Sequence, residues 1–378
     1  MAVIPAAFTG FNVFGQFGNK QASRVHDFTE FGFNECVINS STLIAASWSY
    51  TAFAQENRLF VCGFLTDKPN ASVNIIAPDK IKQIAAAEKF CLILLENGKI
   101  YKLLAKVEAN LEEVKFAATN VAPPQKRTIF GAIKQQTVET FTHIACGSNI
   151  NVAVSNTNGI YSIPSKIHEF PKHIKVKQLV CGFEHAMLLT NMGDIYAWGM
   201  GLRGQLGQEL LQTEETPVLL EALAGIKIIH IAAGGWHSAA ISAFGDLYTW
   251  GHNTNGQLGL RVFKPNGQKE PTVFPLPQII DMPPCNTCSV KSSDDGQEGE
   301  QYTECIAVKV YAGARHTIVQ MNCGTVYAAG WNVHGQLGLK KLNQMCDHFE
   351  RVPFFATIPN QLNTPNIVCG PWCTVAIR

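Results

Sequence analysis

Three stretches of the chain share one set of spacings, and that regularity limits the fold more than any composition does. They run from Gly182 to Gly207 (GFEHAMLLTNMGDIYAWGMGLRGQLG), from Gly234 to Gly259 (GGWHSAAISAFGDLYTWGHNTNGQLG) and from Gly313 to Gly338 (GARHTIVQMNCGTVYAAGWNVHGQLG). In each, a histidine follows the first glycine by three residues (His185, His237, His316) and a turn glycine follows the histidine by eight. A tyrosine comes three later, then a glycine three after that. A Gly-Gln-Leu-Gly box opens five further on, at Gly204, Gly256 and Gly335. A motif present three times is a building unit of the fold, not a unique catalytic centre.

Each unit reads as two short strands about a tight turn. In the second, SAAIS at 238–242 and LYTW at 247–250 flank Phe244-Gly245-Asp246. Small, β-branched and aromatic residues suit a pleated surface buried on both faces, and glycine beside a polar residue supplies the positive φ of a hairpin turn. The glycines around Gln-Leu point to backbone approaching backbone. No long helical period appears, so the unit is all-β.

Weaker copies extend the array. Their residues in the histidine slot are Tyr50, Phe90, Ile150 and Cys373, which makes seven units in all. The last copy, GPWCTVAI from Gly370, stops halfway, and FTGFNVFGQFG at 8–18 is the half it lacks. N-terminal strands that complete a C-terminal blade close a ring and leave no apolar sheet edge exposed. With a period near the roughly 40–50 residues of a four-stranded blade, the expectation is a single seven-bladed β-propeller over 1–378, able to fold as a monomer.

These motifs resemble the repeats of the regulator of chromosome condensation family, with its Gly-x-x-His-[Ser/Thr] and Gly-Gln-Leu-Gly signatures. ASWSYTAF at 46–53, AAGGWHS at 232–238 and CGPWCT at 369–374 resemble the small single-propeller members of that family. The resemblance implies a seven-bladed propeller that binds proteins without chemistry of its own. For the small members it implies a JmjC-type 2-oxoglutarate dioxygenase as partner, with links to chromatin and mitotic fidelity. For the founding member it implies nucleotide exchange on the small GTPase Ran and docking on nucleosomes, so an exchange factor is the alternative function.

Composition narrows these options. Thirty basic against 29 acidic residues give a net charge of +1, unlike a protein held on nucleic acid by clustered Lys and Arg. The first eleven residues carry no charged side chain, so histones or nucleosomes are expected as indirect contacts only. KIHEFPKHIKVK at 166–177 is read as a solvated connection, not a localisation signal. No run approaches the ~20 apolar residues of a membrane span. The 12 cysteines, expected mainly inside strands with Cys36 and Cys323 among them, read as reduced thiols of a nuclear or cytoplasmic protein.

Candidate chemistry is sparse. Imidazoles repeated in three units are expected to hold blades in place, and no catalytic constellation stands out. Cys285 and Cys288 have CxxC spacing with Cys305 nearby, but no second close pair follows, so a loop thiol pair without metal is expected. No cofactor is expected.

Two features point to binding. The residue before the histidine slot varies inside a constant frame: Lys89, Asn149, Glu184, Trp236, Arg315 and Trp372, with Trp48 or Ser49 in the gapped first unit. In a closed ring these residues form a rim on one face, and Trp and Arg are favoured interface anchors; the competing expectation is that the tryptophans pack between blades. Second, His237 and His316 stand 79 apart, against 52 for His185 and His237. The excess falls in a polar insertion at about 261–304, read as tolerated in preference to partner-facing.

Overall fold

The computed structural model describes residues 6–18, 22–33, 36–65, 71–104, 110–117, 139–285, 305–340, 343–357 and 365–377. They form seven antiparallel sheets of four strands each. Six sheets are continuous in sequence, at 43–76, 81–113, 141–169, 176–219, 228–280 and 307–351, and are numbered here as blades 1 to 6. Blade 7 joins Asn366–Cys369 and Cys373–Ile377 to Ala6–Phe11 and Arg24–Phe31. The closing register pairs Ala6 with Ile377, Phe8 with Val375 and Gly10 with Cys373. The expected seven-bladed propeller with a shared last blade is the observed fold.

Blade 5 shows how sequence sets position. Ile228–Ala233 is the inner strand, followed outward by His237–Ser242, Leu247–His252 and Val273–Ile280. Every residue of the second strand is buried, as expected of a strand covered on both faces. Apolar side chains from each blade meet those of the next, giving seven clusters for seven blade contacts. Between blades 4 and 5, for example, Met187, Leu189 and Ala197 face Ile231, Ala240 and Trp250. Each sheet thereby covers its neighbour, and no blade has to be stable alone.

A second device acts near the axis. Blades 2, 4 and 5 have a β-bulge early in the inner strand, next to Gln83, Gln178 and His230. The bulge turns that side chain out of the pleat and toward the following blade. Gln83 accepts from Ile144 N at 3.0 Å and donates to Ile144 O at 2.7 Å. Gln178 does the same to Ile231, at 3.0 and 2.7 Å. The inner strands surround a central cavity of about 730 Å³, with Ala, Gly and Cys making up half of its lining residues.

Two expectations need correction. The stretch read as a polar insertion from about 261 to 304 contains Val273–Ile280, the outer strand of blade 5. Pro275 and Pro277 hid it, because proline reads as a breaker; an outer edge tolerates it, since the N–H it lacks has no further strand to reach. Residues 286–304 of that stretch, Cys288 included, lie outside the described residues. Cys36 and Cys323 are not in strands, Cys323 occupying the turn between the second and third strands of blade 6.

Candidate functional site

The repeated histidines belong to the framework. His185, His237 and His316 each open the second strand of a blade and are fully buried. Their Nε2 atoms reach the next blade, at Ser238 Oγ (2.9 Å), Thr317 Oγ1 (2.9 Å) and Thr374 Oγ1 (3.1 Å). Those hydroxyls donate in turn to the carbonyls of Gln205, Gln257 and Gln336, at 2.8, 2.6 and 2.8 Å. A hydroxyl has one proton, already given to a carbonyl, so the imidazole must be the donor and its proton sits on Nε2. The Gly-x-x-His-[Ser/Thr] motif and the Gly-Gln-Leu-Gly box are thus two ends of one bond chain. Burial pushes all three histidines down to about 3, so they are neutral at physiological pH. Tyr50 takes the slot in blade 1, its hydroxyl lying between two carbonyls of blade 2, Phe90 O at 2.5 Å and Ala87 O at 2.9 Å.

The spacing of three has a steric cause. A Cβ on Gly234 would collide with the ring of His237 and lie 2.6 Å from Gly313 O of the next blade. The box glycines serve backbone approach: Gly256, at φ +76°, sits against Cα of Asp347 in the outer strand of blade 6.

With the histidines assigned to structure, the varying position before them is what remains. Antiparallel order places the corner after the inner strand and the corner after the third strand on the same face. That face carries a belt of aromatic and cationic side chains. Trp236 is half-buried, and its Nε1 donates to Glu184 Oε2 at 3.3 Å. Glu184 Oε1 accepts from Asn149 Nδ2 at 3.2 Å. The Arg203 guanidinium carbon lies 4.3 Å from the Trp236 ring centroid and that of Arg315 5.6 Å from it; Arg315 is also 5.6 Å from Trp331. The belt continues through Trp331 to His334 (5.1 Å), to Trp372 (5.6 Å) and to Trp48 (6.1 Å).

Six of the rim residues are therefore joined: Asn149, Glu184, Trp236, Arg315, Trp372 and Trp48. Lys89, the seventh, is exposed and takes no part in the contacts just described. In the gapped first unit Ser49 directly precedes Tyr50 and is buried, while Trp48 is the residue on the belt. The tryptophans pack against neighbouring blades, as the packing expectation has it, while each stays partly exposed.

Arg203, Trp331 and His334, together with Phe11 (5.2 Å from Trp372) and Phe14 (5.3 Å from Trp48), are belt residues that the sequence reading does not single out. They lie between the repeat glycine at or one residue before the end of the third strand and the box, in the interval of constant length and changing content: MGLR, HNTN, WNVH, FNVF. The same signal that marked the first rim, a variable residue in a fixed frame, marks this second one.

Electrostatically the belt is lopsided. Arg203 and Arg315 form no ion pair among the described residues; their guanidinium groups lie over the Trp236 ring at cation–π distance. The arginines, with Lys269, hold His252 below the usual histidine range, after burial as the larger cause. A positive aromatic surface of this kind binds carboxylates by forked hydrogen bonds. No nucleophile paired with a base was found among the described residues of this face.

The family model for the regulator of chromosome condensation (RCC1) repeat matches residues 192–241, 245–295 and 323–377, and a second model for the same repeat matches 176–205 and 228–257. The RCC1 domain-containing protein 1 of Homo sapiens is 30% identical over 409 residues, covering 98% of this chain and 96% of its own length. The ultraviolet-B receptor UVR8 of Arabidopsis thaliana is 28% identical over 239 residues, covering 54% of this chain and 51% of the receptor. Among solved structures, Prp20p of Saccharomyces cerevisiae, reported with its binding to Gsp1p and histones, superposes with a TM-score of 0.72 at 17% identity, over all of this chain and 91% of Prp20p. Human WBSCR16 superposes with a TM-score of 0.70 at 15% identity, over 99% of both chains. At these identities the two structures speak for the fold.

Proposed function

Because the chain belongs to the RCC1 repeat family, we propose that it is a non-catalytic interaction platform whose aromatic and arginine-bearing rim holds another protein through carboxylates on that protein's surface. One observation carries the reading: Arg203 and Arg315 lie within cation–π distance of a half-buried tryptophan and form no ion pair among the described residues, at the variable positions of an otherwise constant frame. Attraction to the ring face favours the placed rotamer of each guanidinium, so less rotamer freedom is lost when a carboxylate arrives. The family resemblance supplies the partner class, a JmjC-type 2-oxoglutarate dioxygenase acting on chromatin, in the nucleus or cytoplasm.

The experiment measures binding of a purified JmjC-type dioxygenase to wild type and to the Arg203→Glu/Arg315→Glu double variant. Charge reversal at two anchors is expected to weaken binding by at least ~30-fold, with a slower association rate. The melting temperature should stay near wild type. Equal binding by both proteins would remove the rim from the reading. A second assay measures fluorescent-GDP release from Ran in the presence of catalytic amounts of the chain; acceleration there would overturn the platform in favour of an exchange factor.

A further inference from the structure

On the opposite face, three cysteines far apart in sequence converge. Cys285 follows the outer strand of blade 5, Cys305 stands two residues before the inner strand of blade 6, and Cys323 occupies that blade's hairpin turn. Cys323 Sγ lies 3.6 Å from Cys285 Sγ and 3.4 Å from Cys305 Sγ, and all three sulfurs fall within 4.8 Å of one another. Thr325 Oγ1 is 3.5 Å from Cys285 Sγ and 3.2 Å from Cys323 Sγ.

We propose that Cys285, Cys305 and Cys323 form a thiolate site for a thiophilic divalent cation, zinc being the ion it fits.

The separations decide between bonding modes. Disulfide sulfurs lie ~2.05 Å apart, so 3.4 and 3.6 Å are too long for that bond. A tetrahedron built on zinc–thiolate bonds of ~2.3 Å has sulfur–sulfur edges of ~3.8 Å, close to what is observed. Three thiolate sulfurs, with the hydroxyls of Thr325 and Tyr327 beside them, select a soft or borderline ion over magnesium or calcium, which take oxygen. Binding releases the thiol protons to solvent and involves no redox change. Three thiolates leave one tetrahedral position to a further ligand. The sequence set the Cys285 pair aside because no second close pair follows it. The fold supplies the missing ligand from a turn 38 residues away from Cys285 and 18 from Cys305. A metal there clamps the end of blade 5 and the start of blade 6 to one hairpin, and so pins both ends of the long connection between them.

The test uses the full chain, reduced and metal-free, titrated with Co²⁺ and then Zn²⁺. One Co²⁺ per chain should give a sulfur-to-cobalt charge-transfer band and the intense visible bands of tetrahedral geometry, and Zn²⁺ should erase both. Cys323→Ser should lose the signal. A second measurement needs no variant: in the Zn²⁺-loaded wild-type chain, Cys285, Cys305 and Cys323 should resist alkylation, read by peptide mass spectrometry, until a chelator is added. Absence of the tetrahedral thiolate spectrum, its persistence in Cys323→Ser, or alkylation indifferent to Zn²⁺ would each overturn the proposal.

Discussion

His237 of blade 5 donates from Nε2 to Thr317 Oγ1 of blade 6 at 2.9 Å, and Thr317 passes its own proton to Gln257 O, in the box of blade 5, at 2.6 Å. One blade thus reaches a neighbour and is reached back through a single hydroxyl. The same loop joins blade 4 to 5 and blade 6 to 7. Three blade contacts are locked by buried neutral imidazoles.

That lock is sensitive to acid. Burial holds His237 at about 3, below the ordinary ~6.5 it regains on unfolding. Below pH 6.5 the unfolded chain binds the proton that the folded chain refuses, so the stabilisation is complete above that pH and is lost progressively toward pH 3. The slope is about 1.4 kcal/mol per pH unit for each such histidine. Urea unfolding of wild type at pH 7 and pH 5 should therefore differ more than for His237→Gln, by about 2 kcal/mol. Equal losses in the two proteins would show that His237 is not held neutral.

Glycine spacing gives a sharper steric test. Gly234→Ala places a methyl against the His237 ring and the Gly313 carbonyl, where neither neighbour has room to yield. The expected cost is about 3 kcal/mol or more. Gly225→Ala is the control: its φ is +83° but no atom lies within 4 Å of the added carbon, so only backbone strain of about 1 kcal/mol is expected. Similar melting temperatures for the two variants would refute the account of the Gly-x-x-His spacing.

The framework was legible in the sequence because each of its elements is local: glycine to histidine, turn to tyrosine, box to box. Even the degenerate slots Tyr50 and Phe90 were located by spacing. What escaped notice depends on which blades touch. Gln83 looks like any polar residue in a strand until the bulge beside it and Ile144, 61 residues on, are both in place. Trp236 and Glu184 are 52 residues apart, and only the packing of blade 5 on blade 4 makes them neighbours. The variable interval before each box was counted for its length, and its contents, which carry Arg203, Trp331 and His334, went unread. The outer strand of blade 5 was lost to its two prolines.

Two tryptophans separate recognition from stability. Trp250 is fully buried between blades 4 and 5 and donates from Nε1 to Gln205 O at 3.0 Å. Trp250→Ala removes a core side chain together with a bond in the box, at an expected cost of about 3–5 kcal/mol. Trp236 is half-buried on the rim; its loss frees Arg203 and Arg315 and removes the bond to Glu184, while the apolar cluster between blades 4 and 5 is kept. Trp236→Ala should weaken partner capture at least ~30-fold while the melting temperature stays near wild type. If Trp236→Ala unfolds the protein as Trp250→Ala does, its role is packing.

Ring closure yields the last prediction. Ala6–Phe11 is an interior strand of blade 7, hydrogen-bonded to Cys373–Ile377 on one side and Arg24–Phe31 on the other. It also carries Phe8, which stacks on Phe17 with ring centroids 4.2 Å apart. Deleting residues 6–11 would leave Cys373–Ile377, every residue of it buried, as an open edge with unpaired N–H and C=O groups. Such an edge pairs with whatever strand is offered. The deletion variant should therefore run as oligomers or aggregates in size-exclusion chromatography, and a synthetic peptide spanning residues 6–18 added during refolding should restore monomer by β-strand addition. A variant that stays monomeric and cooperatively folded without the peptide would show that the shared blade is dispensable to the ring.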